Sequence, residues 1–211
     1  MDKKEPSNKP NVMYVRLSSH FIQFLKTRYG TPALFPTVST LSLCVERYLV
    51  NNPTMAEITP FSYSEAAFHQ KPDDGLFSIN APCLTDEQRS EFVAVVIPSE
   101  IIRPGGAVKT SSTWQLSSAG AKMFRRQVKR DFWVYFSNFY DECRYRAQRM
   151  NETATFEDIA SDFLTIHGIG MNEYDKIKRS WLRIRHEIKN EIENHRALLE
   201  EQTNRAFYYT A

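Results

Sequence analysis

The chain has no phosphate-binding glycine loop, no GxGxxG turn, no HExxH or CxxC pair and no GxSxG elbow. Each of these places a reactive group by local spacing, and their absence leaves the sequence with no catalytic residue and no metal or cofactor site to nominate. The five histidines are scattered, and His195 sits on an apolar seam, the setting of a packed histidine rather than a ligand. Asp73 and Asp74 are adjacent on a turn ending at Gly75, where their side chains diverge and no third ligand is near. Cysteine is scarce: Cys44, Cys83 and Cys143 are odd in number and far apart, which argues for reduced thiols and against a disulfide framework. The N-terminal stretch has no apolar core of the secretory kind, and the longest apolar run, Phe92–Ile97, is far too short to span a bilayer. The expectation is a cytoplasmic protein with no membrane partner and no cofactor.

The 211 residues are 42% apolar and 13% aromatic, enough for one large or two small cores. Net charge is only +2, but it is unevenly spread. Residues 1–118 carry eleven bases and eleven acids; residues 119–190 carry fourteen and ten; residues 191–211 carry two and four. The third quarter of the chain is therefore where an anionic partner would be met.

The stretch around which the rest is organised is Leu116–Met150. Phe124, Val128, Phe132, Tyr135, Phe136, Phe139, Cys143 and Ala147 recur at steps of three and four, which predicts a helix with one buried face. Ser117 or Ser118 can cap it. The opposite face carries Lys122, Arg126, Lys129 and Arg130 and continues through Trp133, Tyr140 and Arg144. Five bases and no acid fall between Lys122 and Arg130. A solvated helix usually mixes both signs for i,i+4 pairing, so this run reads either as a plain charged surface or as a phosphate-contacting face. In the second reading Trp133 or Tyr140 would stack on a base.

Before this stretch, residues 1–11 read as a disordered arm and 12–118 as an α+β part. Val12–Leu17 alternates like a strand, His20–Tyr29 reads as a helix stopped at Gly30, and Val38–Leu49 as a second helix. Strand, helix, loop, helix resembles the order of the ribbon-helix-helix DNA-binding fold, in which Tyr14 and Arg16 would face a major groove. The competing and preferred reading is a strand entering an α+β core. Residues 53–88 look irregular, with a short helix at Ser62–His69. Phe92–Ile97, wholly apolar, predicts a central strand, and the Pro104-Gly105-Gly106 turn predicts a hairpin returning along Lys109–Leu116. The segments YVRLSSHFI and VVIPSEII echo each other and suggest two similar strands pairing within the chain.

After it, Thr155 and Asp158 form a capping-box pattern ahead of a short helix carrying Phe156, Ile159, Phe163, Leu164 and Ile166. The connection His167–Met171 is followed by a helix capped by Asn172 and running to about Gln202. Its seam is Tyr174, Ile177, Trp181, Ile184, Ile188, Ile192, His195 and Leu199, facing the central helix or its own copy in a dimer. Lys176, Arg179 and Arg183 lie in its basic first half. The helices over 155–166 and 172–190, joined by a glycine-containing turn, make a helix-turn-helix-like pair, about one turn longer than the compact motif.

The fold class expected is α+β: a minor sheet in the N-terminal part, then a predominantly helical part over 119–202 with three helices, two of them long, and a tail over 203–211. The function expected is a non-enzymatic nucleic-acid-binding accessory or regulatory protein, of the kind a phage or mobile element carries. It would bind DNA in preference to RNA, contacting phosphates through Lys122, Arg126, Lys129, Arg130, Lys176, Arg179 and Arg183. The alternative is a structural protein that forms a homodimer through Trp181, Ile184 and Ile188.

Overall fold

A computed structural model describes residues 12–51, 78–79, 91–97 and 114–209. The architecture is α+β, with small antiparallel sheets toward the N-terminus and a mostly helical remainder. Two compact units divide at Val128 and Lys129, inside one unbroken helix. The expected helix at Ser62–His69, the Asp73-Asp74-Gly75 and Pro104-Gly105-Gly106 turns, Arg103, Lys109, Cys83 and the arm 1–11 all lie outside the described residues.

In the first unit, β1 (Val12–Arg16) is the middle strand of three. It runs antiparallel to β3 (Ser78–Ile79) on one side and to β4 (Phe92–Val96) on the other, with Met13 opposite Val95 and Val15 opposite Val93. The two echoing segments thus supply paired strands. Both edges of β1 are hydrogen-bonded within the chain, so it cannot be a groove-reading ribbon. Arg16, which that reading placed in the groove, is buried and ion-paired with Glu91. Alternation otherwise holds: Met13, Val15 and Leu17 are buried.

β4 is not central. Its outer edge is covered by a single parallel bridge, in which the Ala33 N–H donates to the Ala94 carbonyl (2.7 Å) and the Val96 N–H donates to the Ala33 carbonyl (2.9 Å). That covering lets an apolar strand stand at the end of a sheet without offering a free edge. The expected hairpin partner is also different. β5 (Trp114–Leu116) pairs with β2 (Leu49–Asn51), Leu116 opposite Leu49, and makes a separate two-stranded sheet.

α1 (Ser19–Tyr29) buries His20, Ile22, Phe24 and Leu25 and ends at Gly30, whose N–H donates to the Lys26 carbonyl. α2 (Thr40–Tyr48) starts two residues later than expected, because a turn from Pro36 to Ser39 leads into a cap in which Ser39 Oγ accepts the Ser42 N–H. Val38 is thereby left outside the helix, 89% exposed.

α3 (Ser118–Arg149) begins immediately after β5. Ser117 is its cap, its hydroxyl accepting the Gly120 N–H at 3.1 Å. Gly120 is a close-approach position: a Cβ there would fall 3.0 Å from Cγ of Tyr48 and nearer still to its Cβ.

The second unit holds the rest of α3, then α4 (Phe156–Ile166), a 3-10 turn (Met171–Glu173) and α5 (Tyr174–Tyr209). α3 ends in a Schellman arrangement with Asn151 in the left-handed region (φ 57°), the Glu152 N–H reaching back to the Ala147 carbonyl. α4 ends the same way on Gly168 (φ 61°). The Ile169 N–H donates to the Leu164 carbonyl and the Ile169 side chain is buried, which sets the chain for its turn into α5.

The expected capping box is present at the start of α4: Thr155 Oγ1 accepts the Asp158 N–H, and Asp158 Oδ2 accepts the Thr155 N–H. Hydrogen bonds from the Thr155 hydroxyl and backbone hold the Asp158 carboxyl below its ordinary range. A carboxyl whose folded pKa is lowered stabilises the fold above its unfolded pKa and loses that contribution as pH falls through the folded value. The cap is therefore expected to release on acidification, below the ordinary carboxylate range. The Asp158 side-chain chemical shift should report that release, and Asp158→Asn should erase this part of the acid limb of stability.

Asn172 does not cap α5. The backbone takes a 3-10 turn there, with Gly170 at its start and no side-chain cap. The helix also runs past Gln202, so residues 203–209, expected as a tail, continue it.

The core of this unit is aromatic. Phe163 of α4 meets Phe132, Phe136 and Phe139 of α3 at ring separations of 5.5, 4.9 and 5.5 Å, all edge-on, and His167 at 4.5 Å. Trp181 of α5 stacks on Trp133 (6.3 Å) and meets Phe136 (5.1 Å) and Tyr140 (5.6 Å). Trp181 of the α5 seam is thus packed against α3 of the same chain. Ile166, expected on the buried face of α4, is 57% exposed.

Candidate nucleic-acid interface

Along α3 the buried side changes direction. In its first third the buried residues are Ala121, Phe124 and Val128; further on they are Phe132, Trp133, Phe136 and Ser137. At about 100° per residue, the centre of the buried arc turns by about 100° between the two sets. Lys122, Arg126 and Lys129 are exposed, yet the same side of the helix becomes buried from Trp133 onward. This is why Trp133 is enclosed and Tyr140 is half-buried, although both continue the basic face. Trp133 is 3% exposed, and Tyr140 lies against Phe136, Phe156 and Trp181. Arg144 stands over the Tyr140 ring.

The nominated cations differ in what they are doing. Arg130 is ion-paired with Glu191, and Lys176 with Glu173 at 3.3 Å. The Arg179 Nε donates to the Asp175 carbonyl at 3.2 Å. Among the described residues Lys122, Arg126, Lys129 and Arg183 make no ion pair, and all four are exposed.

The pitch of α5 sorts its bases into two rows. Lys176, Arg179 and Arg183 share one side with His186, about 160° from the buried row Ile177, Trp181, Ile184 and Ile188. Lys178, Arg185 and Lys189 form a second exposed row on the flank. Lys178 also stands over the Tyr174 ring at 5.7 Å. Six bases and one acid, Glu187, lie between Lys176 and Lys189. The second row was visible in the sequence as composition; projecting the helix at 3.6 residues per turn would have separated it.

The three side chains expected to make a dimer seam are closed within one chain: Trp181, Ile184 and Ile188 are 5%, 9% and 8% exposed. They are held by the protein's own fold, so self-association through this row would require the unit to open.

Nothing catalytic or metal-binding assembles among the described residues. No group of three histidine, cysteine or acidic side chains is placed to hold a metal ion. His20 and His167 are buried, and His186 is exposed. Burial raises the thiol pKa of Cys44 and Cys143 above its ordinary value, so both stay protonated near neutral pH. Among the described residues no helix is long and apolar enough to cross a membrane. No family model, no curated protein and no solved structure matches the chain.

Proposed function

We propose that the chain is a non-enzymatic nucleic-acid-binding protein, an accessory or regulatory factor acting on DNA in the cytoplasm. The observation that carries this reading is the pair of exposed basic rows on α5, one opposite the row that anchors the helix in its core and one on its flank. A rigid helix with its apolar side satisfied can lay such rows along a phosphate backbone without cost to the fold. The exposed Lys122, Arg126 and Lys129 of α3 add cations of the same kind. Trp133 is packed away and Tyr140 lies half-buried against Trp181, so the reading rests on the cations rather than on these two rings. The contact is therefore with backbone charge, and sequence preference would arise from DNA shape.

The test is fluorescence anisotropy of a labelled random-sequence duplex, titrated between about 50 and 200 mM salt. If about four phosphates are neutralised, the log–log slope is about −3.6 and affinity falls by about 10²-fold across that range. Lys176→Gln/Arg183→Gln should make the slope shallower by about 1.8. An RNA duplex of equal length, run in parallel, separates DNA preference from general polyanion binding. No binding at the lowest salt, or a slope unmoved by the double substitution, would overturn this assignment.

A further inference from the structure

A further side of α5, which shares Arg179 and His186 with the first basic row and lies toward the second, has a symmetry that neither row has. Arg179, Leu182, His186, Glu193, Ala197 and Glu200 fall within an arc of about 60°, about 150° from the buried row. All six are exposed, Leu182 by 54%. Their spacings are 3, 4, 7, 4 and 3, which read the same in both directions about a point between Lys189 and Asn190. The chemistry reverses about that point: bases and a leucine lie before it, acids and an alanine after it. Among the described residues, neither Arg179, Glu193 nor Glu200 has an ion pair.

We propose that this side of α5 is a self-complementary surface whose occupant is the same surface of a second copy, packed antiparallel about a two-fold axis through Lys189 and Asn190. In that arrangement Arg179 meets Glu200 of the second copy, Leu182 meets Ala197, and His186 meets Glu193. The two-fold axis makes each contact twice, as an isologous interface requires. The paired stretch is about 32 Å long, and the large residue at each end of the apolar contact faces a small one. A parallel pairing would set Arg179 on Arg179 and Glu200 on Glu200, so charge alone selects the antiparallel sense. This surface differs from the buried row of Trp181, Ile184 and Ile188, and the pairing leaves Lys176 and Arg183 on one flank and Lys178 and Arg185 on the other. It does not rest on the nucleic-acid reading and is tested without nucleic acid.

The experiment is sedimentation equilibrium of the full chain over roughly 5–500 µM, a range suited to an interface smaller than standard size. The unaltered protein should dimerise, and association should weaken as salt rises from about 0.05 to 0.5 M. Arg179→Glu should raise the dimer dissociation constant by about tenfold, because it places like charges at both ends of the interface. Arg179→Glu/Glu200→Arg should restore it. All these positions are exposed, so helical circular dichroism should stay unchanged throughout. A chain that remains monomeric over the whole range overturns the proposal. So does a dimer indifferent to Arg179→Glu, or a double variant no tighter than the single one.

Discussion

Phe163→Ala is expected to cost about 3–5 kcal/mol, the range for deleting a fully buried phenyl ring. The ring is 0% exposed and is bordered by Phe132, Phe136, Phe139 and His167, so the loss includes both transfer and cavity terms. These neighbours lie on α3 and at the capped end of α4, and rigid aromatic rings collapse poorly into a void. Against a domain stability of about 5–15 kcal/mol, such a loss could unfold the second unit at physiological temperature. Two of the three tryptophans, Trp133 and Trp181, stack within that unit, so tryptophan fluorescence during urea unfolding reads it directly. Trp114→Phe would remove the signal of the first unit. Phe163→Leu, which refills most of the space, should lose less than the alanine variant. Equal losses for the two would show that ring volume at this position does not matter.

Gly120→Val is expected to cost about 3 kcal/mol, the upper part of the overpacking range. In a free helix, replacing this glycine by alanine would gain about 1 kcal/mol. Here the added Cβ would sit against the Cβ and Cγ of Tyr48. A Cβ cannot swing aside on its own side chain, so α2 or α3 must shift. The shift would disturb the strand pair beside it, because the Ser117 N–H donates to the Tyr48 carbonyl at 3.0 Å. Overpacking therefore wins over propensity, and Gly120→Ala should be destabilising as well, by less than valine. A double-mutant cycle with Tyr48→Gly isolates the term: the two losses should fall short of additivity. A stabilised Gly120→Ala would show that the close approach is relieved at no cost.

What could be read in the sequence follows the range of the interactions. The capping box at Thr155 and Asp158 and the cap at Ser117 are set by residues three apart, and both are found in the structure. The strand at Val12 is equally local, since alternation alone specifies it. Its place between β3 and β4 is not local, because its partners lie more than sixty residues away. The same holds for the pairing of Trp114–Leu116 with Leu49–Asn51. Apolarity marked Phe92–Val96 as shielded on both sides, but could not say that a one-residue bridge at Ala33, and not a full strand, covers its outer edge. Asn172 had the chemistry of a cap, but the backbone took a tighter turn there. The exposed cations of the candidate interface were legible as composition. The burial of Trp133 and the packing of Tyr140 against Trp181 were not, because one helix pattern was extended across two different sets of neighbours.

That change of neighbours along α3 bears on how the molecule comes apart. The helix has no break at Val128, so a fluctuation that frays it on one side of this point removes hydrogen bonds from the other. Cutting the gene there would give one fragment a helix stump and the other an uncapped start beside Phe132. A boundary between cores that falls inside a helix therefore offers no natural cut site. Slow amide exchange should run through positions 124–136 without a step.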